Sequence, residues 1–281
     1  MSVQNDWFNI REIEQDIFLI QEASHVQCYL IRGSTHAALI DTGMGFCNIK
    51  TALEALIDKP VVVLNTHWHF DHIGGNALFQ HIGIAKVERH LLVQPLTAAR
   101  LLSLYITPCV AAKVPLPHGF QADKYSICSP PATFLLHDGQ IFDLGGRIIK
   151  AIATPGHTQG SFSFWESKTH GVFCGDVLYQ GTLYAHFVDS DFDQYIASLN
   201  KLLNFQDPIA CYYCGHNSHI LPATFIHPVL KAFQKVKAKT VSGTITKQWG
   251  EPAISYQFDQ FALLTKHTNS SGIDLLESIK C

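Results

Sequence analysis

A dense group of metal-ligand side chains directly follows an apolar run in the first third of the chain. Residues 61–65 read VVVLN, a pattern typical of a buried strand, and residues 66–72 read THWHFDH. Alternate side chains of an extended segment share a face, so His67 and His69 can reach one ion together. A loop can be histidine-rich by chance, and a single histidine on an apolar face is usually a core residue. Four candidate ligands in six positions favour a metal site.

The same loop can supply a second ion. Asp71 and His72 are adjacent, at a point where Gly74 and Gly75 let the backbone turn, so they can point to a neighbouring site. Each site needs ligands from elsewhere in the chain. Three candidates stand beside glycine at the ends of predicted strands: His157, Asp176 and His216.

The two halves of the chain repeat one order of predicted elements. Both begin with short apolar or alternating runs separated by turn residues, which is typical of hairpin-joined strands. A helix and a strand follow in each half, at 48–57 and 61–65 and again at 193–205 and 209–216. This order predicts an α/β protein in which two sheets face each other with helices outside, a four-layer αββα sandwich. We expect a single domain over residues 1–281.

A long segment between the halves interrupts this order. We predict a short strand near 85–88 and a helix over 91–106, with Pro95 near the first turn of the helix. Residues 108–131 hold five prolines and little periodicity, which indicates a loop. Loops of this length inside compact domains are often lids, so we expect residues 95–131 to form a lid-like insertion.

Composition argues against several classes of function. With 20 Lys and Arg against 23 Asp and Glu, the chain offers no broad basic surface for nucleic acid. The first residues lack a basic start followed by an apolar core, and no apolar run approaches about 18 residues, so we expect a cytoplasmic protein without a membrane span. The cysteines are scattered, which favours reduced thiols. For the C-x-x-C of Cys211 and Cys214 we favour packing over a redox or zinc role.

The ligand pattern resembles that of the metallo-β-lactamase superfamily. Its H-x-H-x-D-H loop, later histidine, later aspartate and final histidine occur here in order, within residues 17–219. Asp41, in LIDTG, matches an early aspartate of the superfamily that supports the ligand loop through hydrogen bonds. The resemblance implies the αββα fold and two Zn2+ per chain, although iron or manganese suit the same donors. It assigns His67, His69 and His157 to the first ion, Asp71, His72 and His216 to the second, and Asp176 to a bridging position.

The resemblance also implies a hydrolytic reaction. Two such ions share and ionise a water, and the bridging hydroxide attacks an ester-like carbonyl, with Asp71 orienting that nucleophile. The stretches IDTGMG, THWHFDHIGG and GDVLYQGTLY look most like proteins similar to acyl-coenzyme A thioesterases. We therefore favour cleavage of a small-molecule thioester of the acyl-coenzyme A or glutathione type. An acyl-homoserine lactone-type lactonase and a mononuclear iron persulfide dioxygenase are the alternatives, and a homodimer stays open.

Two further features bear on the substrate. Tyr179 follows Asp176 in a D-x-x-Y that resembles acyl-homoserine lactonases, where the tyrosine hydroxyl helps hold the substrate carbonyl; an aromatic plug is an equal alternative. A basic stretch near the C-terminus could bind glutathione, although a solvated helix face is the favoured interpretation. Its residues are Lys231, Lys235, Lys237 and Lys239.

We predict that residues 95–131 and 180–192 form the substrate pocket, because both are expected to be irregular and both adjoin ligand-bearing segments. Their apolar and aromatic side chains suit an acyl group, although each could belong to the core. The remaining histidines, His25 among them, are expected at the surface or in the core, with His186 and His219 as candidates for the pocket wall. The candidate acyl contacts are Leu101, Leu104, Tyr105, Phe120, Leu183, Tyr184 and Phe187.

Overall fold

The computed structural model contains two large β-sheets that face each other, with helices on their outer surfaces. It describes residues 3–5, 7–23, 25–97, 116–117, 120–121 and 124–267.

The first sheet is built from the N-terminal half of the chain. Its first five strands are antiparallel neighbours, and the remaining three are added in parallel. In spatial order the strands are Val3–Asn5, Phe8–Glu14, Ile17–Glu22, Val26–Arg32, Ala37–Ile40, Val61–Leu64, Ile82–Ala85 and Phe134–Leu136. Short helices connect them at Ile49–Ala52, Phe70–Ile73, Asn76–Leu78, Lys86–Glu88 and Arg89–Leu92.

The second sheet comes from the C-terminal half. Its strands, in spatial order, are Ile141–Asp143, Ile148–Ala153, Phe162–Glu166, Gly171–Gly175, Cys211–Cys214 and Ile220–Pro222. Gly171–Gly175 and Cys211–Cys214 pair in parallel, so the chain must cross over between them, and the crossover contains the helix Phe192–Leu203. After the short 3-10 helix Ala223–Phe225, the helix Ile226–Lys237 packs beside the helix Phe192–Leu203.

Alternation of side chains divides the apolar interior into three layers. In the first sheet, Ile17 and Leu19 belong to the core between the sheets, whereas Phe18 and Ile20 belong to the core beneath the outer helices. The second sheet behaves in the same way, because successive side chains of a strand point to opposite faces. Phe173 lies between the sheets, and its neighbours lie under the outer helices. This arrangement is the predicted αββα sandwich, and the structure confirms it.

A smaller sheet was not predicted. It joins Gly181–Ala185 to three late strands, in the order Gly181–Ala185, Phe261–Lys266, Glu251–Gln257 and Thr244–Gln248. The expectation that residues 180–192 are wholly irregular is therefore wrong, since their first part is a strand. The parallel partner of that strand lies about eighty residues later in sequence, so no local pattern indicates the pairing.

Two predictions near the insertion need correction. The strand expected near 85–88 is Ile82–Ala85, and the helix expected over 91–106 is interrupted, because Arg89–Leu92 is followed by a turn and the strand Leu96–Thr97. Proline disfavours helical backbone in the residue before it, which suits this break around Pro95. Leu96–Thr97 pairs with Ser126–Ile127, so the two ends of the predicted insertion meet. The pocket candidates Leu101, Leu104 and Tyr105 lie outside the described residues.

The C-x-x-C cysteines are separate free thiols. Cys211 and Cys214 lie three positions apart in one strand, an odd spacing that directs them to opposite faces of the sheet. This agrees with packing rather than a disulfide or a shared metal.

No helix within the described ranges is long and apolar enough to cross a bilayer.

We predict that Phe164→Ala lowers the free energy of unfolding by about 3–5 kcal/mol, because it empties a buried site between the two sheets. Urea denaturation of the chelator-treated protein would measure the loss. The control Ile245→Ala, at a side chain that is 68% exposed, should change the same quantity by less than about 0.5 kcal/mol. Equal effects of the two variants would contradict the assignment of this core.

Candidate metal centre

The predicted ligands gather where strands of both large sheets end. The loop after Val61–Leu64 carries His67 and His69, and the short helix Phe70–Ile73 carries Asp71 and His72. His67 and His69 therefore lie on a loop beyond the strand rather than on its last residues. The other three follow strands of the second sheet: His157 lies on the loop after Ile148–Ala153, and Asp176 and His216 lie just beyond Gly171–Gly175 and Cys211–Cys214.

A tight turn directs Asp176 into the centre. The preceding residue, Gly175, has φ of +49°, a conformation that favours glycine. A Cβ atom at Gly175 would lie only 2.7 Å from Oγ1 of Thr66, so a larger side chain would collide with the ligand loop. The glycine beside this ligand is thus required by backbone geometry and by the close approach of the two halves.

The first group of donor atoms belongs to His67, His69 and His157. Their donor nitrogens all lie within 4.8 Å of one another. His157 Nε2 is 3.0 Å from His69 Nδ1, which makes Nδ1 the donor atom of His69. Three imidazole nitrogens that converge in this way match the resemblance-based assignment of the first ion.

Asp176 lies between this group and the second. Its Oδ2 is 3.5 Å from His157 Nε2, while its Oδ1 is 3.3 Å from His72 Nε2 and 3.1 Å from His216 Nε2. On the far side, Asp71 Oδ2 lies 3.5 Å from His216 Nε2 and 3.8 Å from His72 Nε2. The two carboxylate oxygens of Asp176 therefore face different donor groups, as a bridging ligand requires.

These separations suit shared cations. Two donor atoms that each lie about 2.1 Å from one ion at a tetrahedral angle are about 3.4 Å apart, close to the distances around Asp176. Three atoms of the candidate ligands are buried without a hydrogen-bond partner among the described residues, which is costly unless something else binds them. They are His67 Nε2, His72 Nε2 and Asp176 Oδ1.

Hydrogen bonds to the remaining ring nitrogens fix how the imidazoles point. His72 Nδ1 lies 2.7 Å from Asp41 Oδ2, and His67 Nδ1 lies 3.0 Å from the Thr66 hydroxyl. Nδ1 also donates to a backbone carbonyl in two further ligands, from His157 to Tyr184 at 2.9 Å and from His216 to His25 at 2.8 Å. Such partners hold the ring direction and leave Nε2 for the metal.

Asp41 is the most connected of these supporting residues. Its carboxylate accepts hydrogen bonds of 2.7 Å from the Thr66 backbone nitrogen, from the Thr66 hydroxyl and from His72 Nδ1. Its backbone has φ of 58°, a conformation that aspartate and asparagine tolerate better than most residues. The geometry agrees with the supporting role expected from the LIDTG stretch.

Burial and the neighbouring charges perturb the imidazole groups in opposite directions. Burial lowers the pKa of His67 and of His69 well below the ordinary histidine value, and nearby imidazoles add to that effect. Burial also acts against protonation of His72, but the carboxylates of Asp71 and Asp41 outweigh it and raise the His72 pKa well above the ordinary value. Neutral imidazoles at the first group are ready to bind a metal.

The carboxylates show the same conflict. Burial alone would raise the pKa of the Asp176 carboxyl, but His216 and His72 outweigh it and lower that pKa well below the ordinary value. Burial raises the pKa of Asp71, although His72 acts against it. The centre therefore requires positive charge between its carboxylates, which metal ions can supply in place of protons.

An aromatic wall covers the first group. The ring of Phe187 lies 5.3 Å from the ring of His69 and 5.9 Å from that of His157, and Tyr184 packs on Phe187. Trp68 Nε1 donates to Asp189 Oδ2 at 2.9 Å, which ties the ligand loop to this segment. Residues around 184–189 thus border the centre, as expected for one of the two pocket segments.

Three other candidates for the pocket make contacts outside the groups of metal ligands. Phe120 packs in an aromatic group with Phe46 and Tyr125. His186 is buried against Phe187, and burial lowers its pKa to about 4. His219 contacts Arg11.

Tyr179 packs directly against a ligand. Its ring lies 5.4 Å from that of His216, and its hydroxyl donates to the Thr182 carbonyl at 2.5 Å. The side chain is buried. In this conformation the hydroxyl proton is engaged by the backbone of its own loop.

Sequence reasoning missed one histidine at the centre. Nε2 of His25 groups with donor atoms of Asp71 and His216, all within 4.8 Å of one another. His25 stands in a hairpin turn far from the other ligands in sequence, where no motif marks it. The signal that reveals it is tertiary, since the adjacent Val26 forms a β-bridge with His216.

Comparison with known proteins identifies the family. A family model described as the metallo-beta-lactamase superfamily matches residues 22–216, which include all seven predicted ligands. The chain belongs to this superfamily. The acyl-coenzyme A thioesterase MBLAC2 of Homo sapiens is 26% identical over 219 residues, covering 72% of this chain and 77% of that protein. A hydroxyacylglutathione hydrolase of Synechococcus sp. (strain JA-2-3B'a(2-13)) is 26% identical over 221 residues, covering 78% and 73%.

Solved structures of the superfamily share the fold. The BLEG-1 B3 metallo-beta-lactamase superposes with a TM-score of 0.53 at 24% identity, covering 71% of this chain and 90% of that one. A metallo-beta-lactamase family protein from Thermus thermophilus has a TM-score of 0.59 at 18% identity, covering 81% and 82%. At these identities the likeness supports the fold and carries no statement about substrate.

We predict that Asp41→Asn weakens binding of the ion beside His72 by about 10- to 100-fold, because the amide cannot both hold Thr66 and accept from His72 as the carboxylate does. Asparagine tolerates the positive φ, so the backbone should persist. Competition against a zinc chelator would measure the change. Unchanged affinity in Asp41→Asn, matching the exposed control Asp58→Asn, would contradict the supporting role.

Proposed function

We propose that the protein is a dinuclear metal-dependent hydrolase of thioesters. The observation that carries this proposal is the position of Asp176, whose two oxygens face separate groups of imidazole and carboxylate donors. A mononuclear iron dioxygenase would leave the second group of donors without a purpose. The presence of metal-binding side chains on both sides of Asp176 therefore favours a dinuclear hydrolase.

Seven side chains would hold the two ions, and the mixed nitrogen and oxygen donors suit Zn2+, with iron or manganese as alternatives. When bound, such ions supply Lewis acidity and an ionised water at neutral pH. The first ion would take three histidines and the second would take Asp71 with two histidines, and Asp176 would serve both. In order, these residues are His67, His69 and His157; Asp71, His72 and His216; and Asp176.

The chain's own groups would orient the reactants. Asp71 is buried beside His216, where its carboxylate would hold the second ion and direct the nucleophilic water. The rings of Phe187 and Tyr184 would exclude bulk water from the first group and contact an apolar acyl chain. We therefore propose that Asp71 acts in the hydrolytic step and that Phe187 and Tyr184 select the acyl chain.

The comparisons favour a thioester substrate. The relatives named above are an acyl-coenzyme A thioesterase and a hydroxyacylglutathione hydrolase, and the substrates in both names are thioesters. On the helix Ile226–Lys237 and just beyond it, the basic side chains are exposed, and Lys237 pairs with Asp193 at 2.8 Å. This solvated face gives no support to a glutathione site, so we favour the acyl-coenzyme A type.

Lactone hydrolysis is the second candidate, because a lactone also presents an ester carbonyl. The feature in its favour is Tyr179, and in a lactonase role its hydroxyl would contact that carbonyl. The bond from this hydroxyl to the Thr182 carbonyl instead favours a packing role beside His216. A cytoplasmic location stays a prediction.

A substrate panel tests the proposal, and Asp71→Ala is its decisive variant. Wild-type protein should hydrolyse acyl-coenzyme A thioesters faster than a homoserine lactone, a phosphodiester or a β-lactam. Asp71→Ala should lose several orders of magnitude in kcat with little loss of stability, since its role is to hold the ion and orient the nucleophile. The exposed Asp58→Ala should match the wild type. Activity of Asp71→Ala within about tenfold of wild type, near 1.4 kcal/mol in barrier, would refute its assignment.

The aromatic wall predicts a dependence on acyl length. In the wild type, kcat/KM should rise with acyl chain length by up to about 0.8 kcal/mol for each buried methylene. The double variant Tyr184→Ala, Phe187→Ala should flatten that slope, because it removes the rings that border the first group. A chain-length series measured on both proteins provides the test. An unchanged slope in the double variant would remove this wall from the acyl site.

A further inference from the structure

The turn that carries His25 contacts His216, a candidate ligand of the second ion, through backbone groups. This turn joins the strands Ile17–Glu22 and Val26–Arg32. The His25 carbonyl accepts a hydrogen bond from His216 Nδ1 at 2.8 Å, and Val26 bridges to His216. The backbone of His25 therefore already helps to orient a predicted ligand.

The side chain of His25 faces the same donors. Its Nε2 lies 3.6 Å from Asp71 Oδ2, and its ring centre lies 5.1 Å from that of His216. A distance of 3.6 Å is too long for a direct hydrogen bond. It is close to the separation of about 3.4 Å expected for two donor atoms on one tetrahedral ion. The corresponding distance from His216 Nε2 to Asp71 Oδ2 is 3.5 Å, so the two imidazoles are placed alike around this carboxylate.

Other histidines near the centre lack this arrangement. His186 Nε2 lies 3.4 Å from the Gln248 carbonyl oxygen, and His219 Nδ1 lies 3.2 Å from a guanidinium nitrogen of Arg11. Among the described residues, the groups of donor atoms close enough to share an ion include one histidine beyond the predicted seven ligands, and it is His25.

We propose that His25 is a further ligand of the second ion, beside Asp71, His72 and His216. The proposal rests on the dinuclear centre described above. A third imidazole would make this site richer in nitrogen, which strengthens its preference for zinc over harder divalent cations such as Mg2+.

A count of metal-bound imidazoles tests the proposal without relying on activity. The full-length protein, labelled with 15N-histidine and loaded with Zn2+, would be studied by long-range 1H–15N correlation spectra, in which zinc-bound ring nitrogens have distinct shifts. We expect six bound rings, with the His25 signals assigned from their loss in His25→Gln. Five bound rings, with His25 unaffected by zinc, would overturn the proposal.

Affinity for the second ion provides an independent readout. In competition with a zinc chelator, His25→Gln should bind the second Zn2+ at least about tenfold more weakly than wild type, while affinity for the first ion stays the same. The exposed control His81→Gln should match wild type at both sites. A second-ion affinity within about twofold of wild type in His25→Gln would overturn the proposal and leave the dinuclear hydrolase standing. A wild type that binds a single Zn2+ would contradict both.

Discussion

The buried carboxylate of Asp176 determines which groups must surround it in the centre. It lies among the imidazoles of His72, His157 and His216, at the point where the two sheets come together. A carboxylate taken out of water in this way is unstable unless cationic partners surround it. The loops of both halves place histidines around this carboxylate, and metal ions bound by those histidines would supply the positive charge.

The sandwich holds these histidines in place through contacts that lie outside the donor groups. Asp41 joins the ligand loop to His72, and the carbonyls of Tyr184 and His25 each hold a ring from another part of the chain. The strand Gly181–Ala185, which carries Tyr184, is itself fixed by pairing with Phe261–Lys266. The late strands thus support the centre, although they contribute no ligand.

Local pattern predicted much of this structure, and tertiary pairing accounts for the rest. The alternating and apolar runs of the two halves indicated most strands of the large sheets, and motif order indicated seven side chains that the fold brings together. The strand Gly181–Ala185 escaped prediction because its partner is remote in sequence. His25 escaped because only the folded hairpin turn brings it to Asp71. The prediction of a continuous helix over 91–106 was wrong because it followed the apolar spacing alone, whereas the helix Arg89–Leu92 ends before Pro95.

The number of metal ions that each chain binds decides whether the centre is dinuclear. Protein purified without chelator and dialysed against dilute Zn2+ would be analysed by inductively coupled plasma mass spectrometry beside an accurate protein concentration. Two ions per chain are expected, and thioester hydrolysis by stripped protein should recover fully only when the second equivalent of Zn2+ is added. One ion per chain, with full activity restored by the first equivalent, would show that the enzyme works with a single ion and would refute the dinuclear centre.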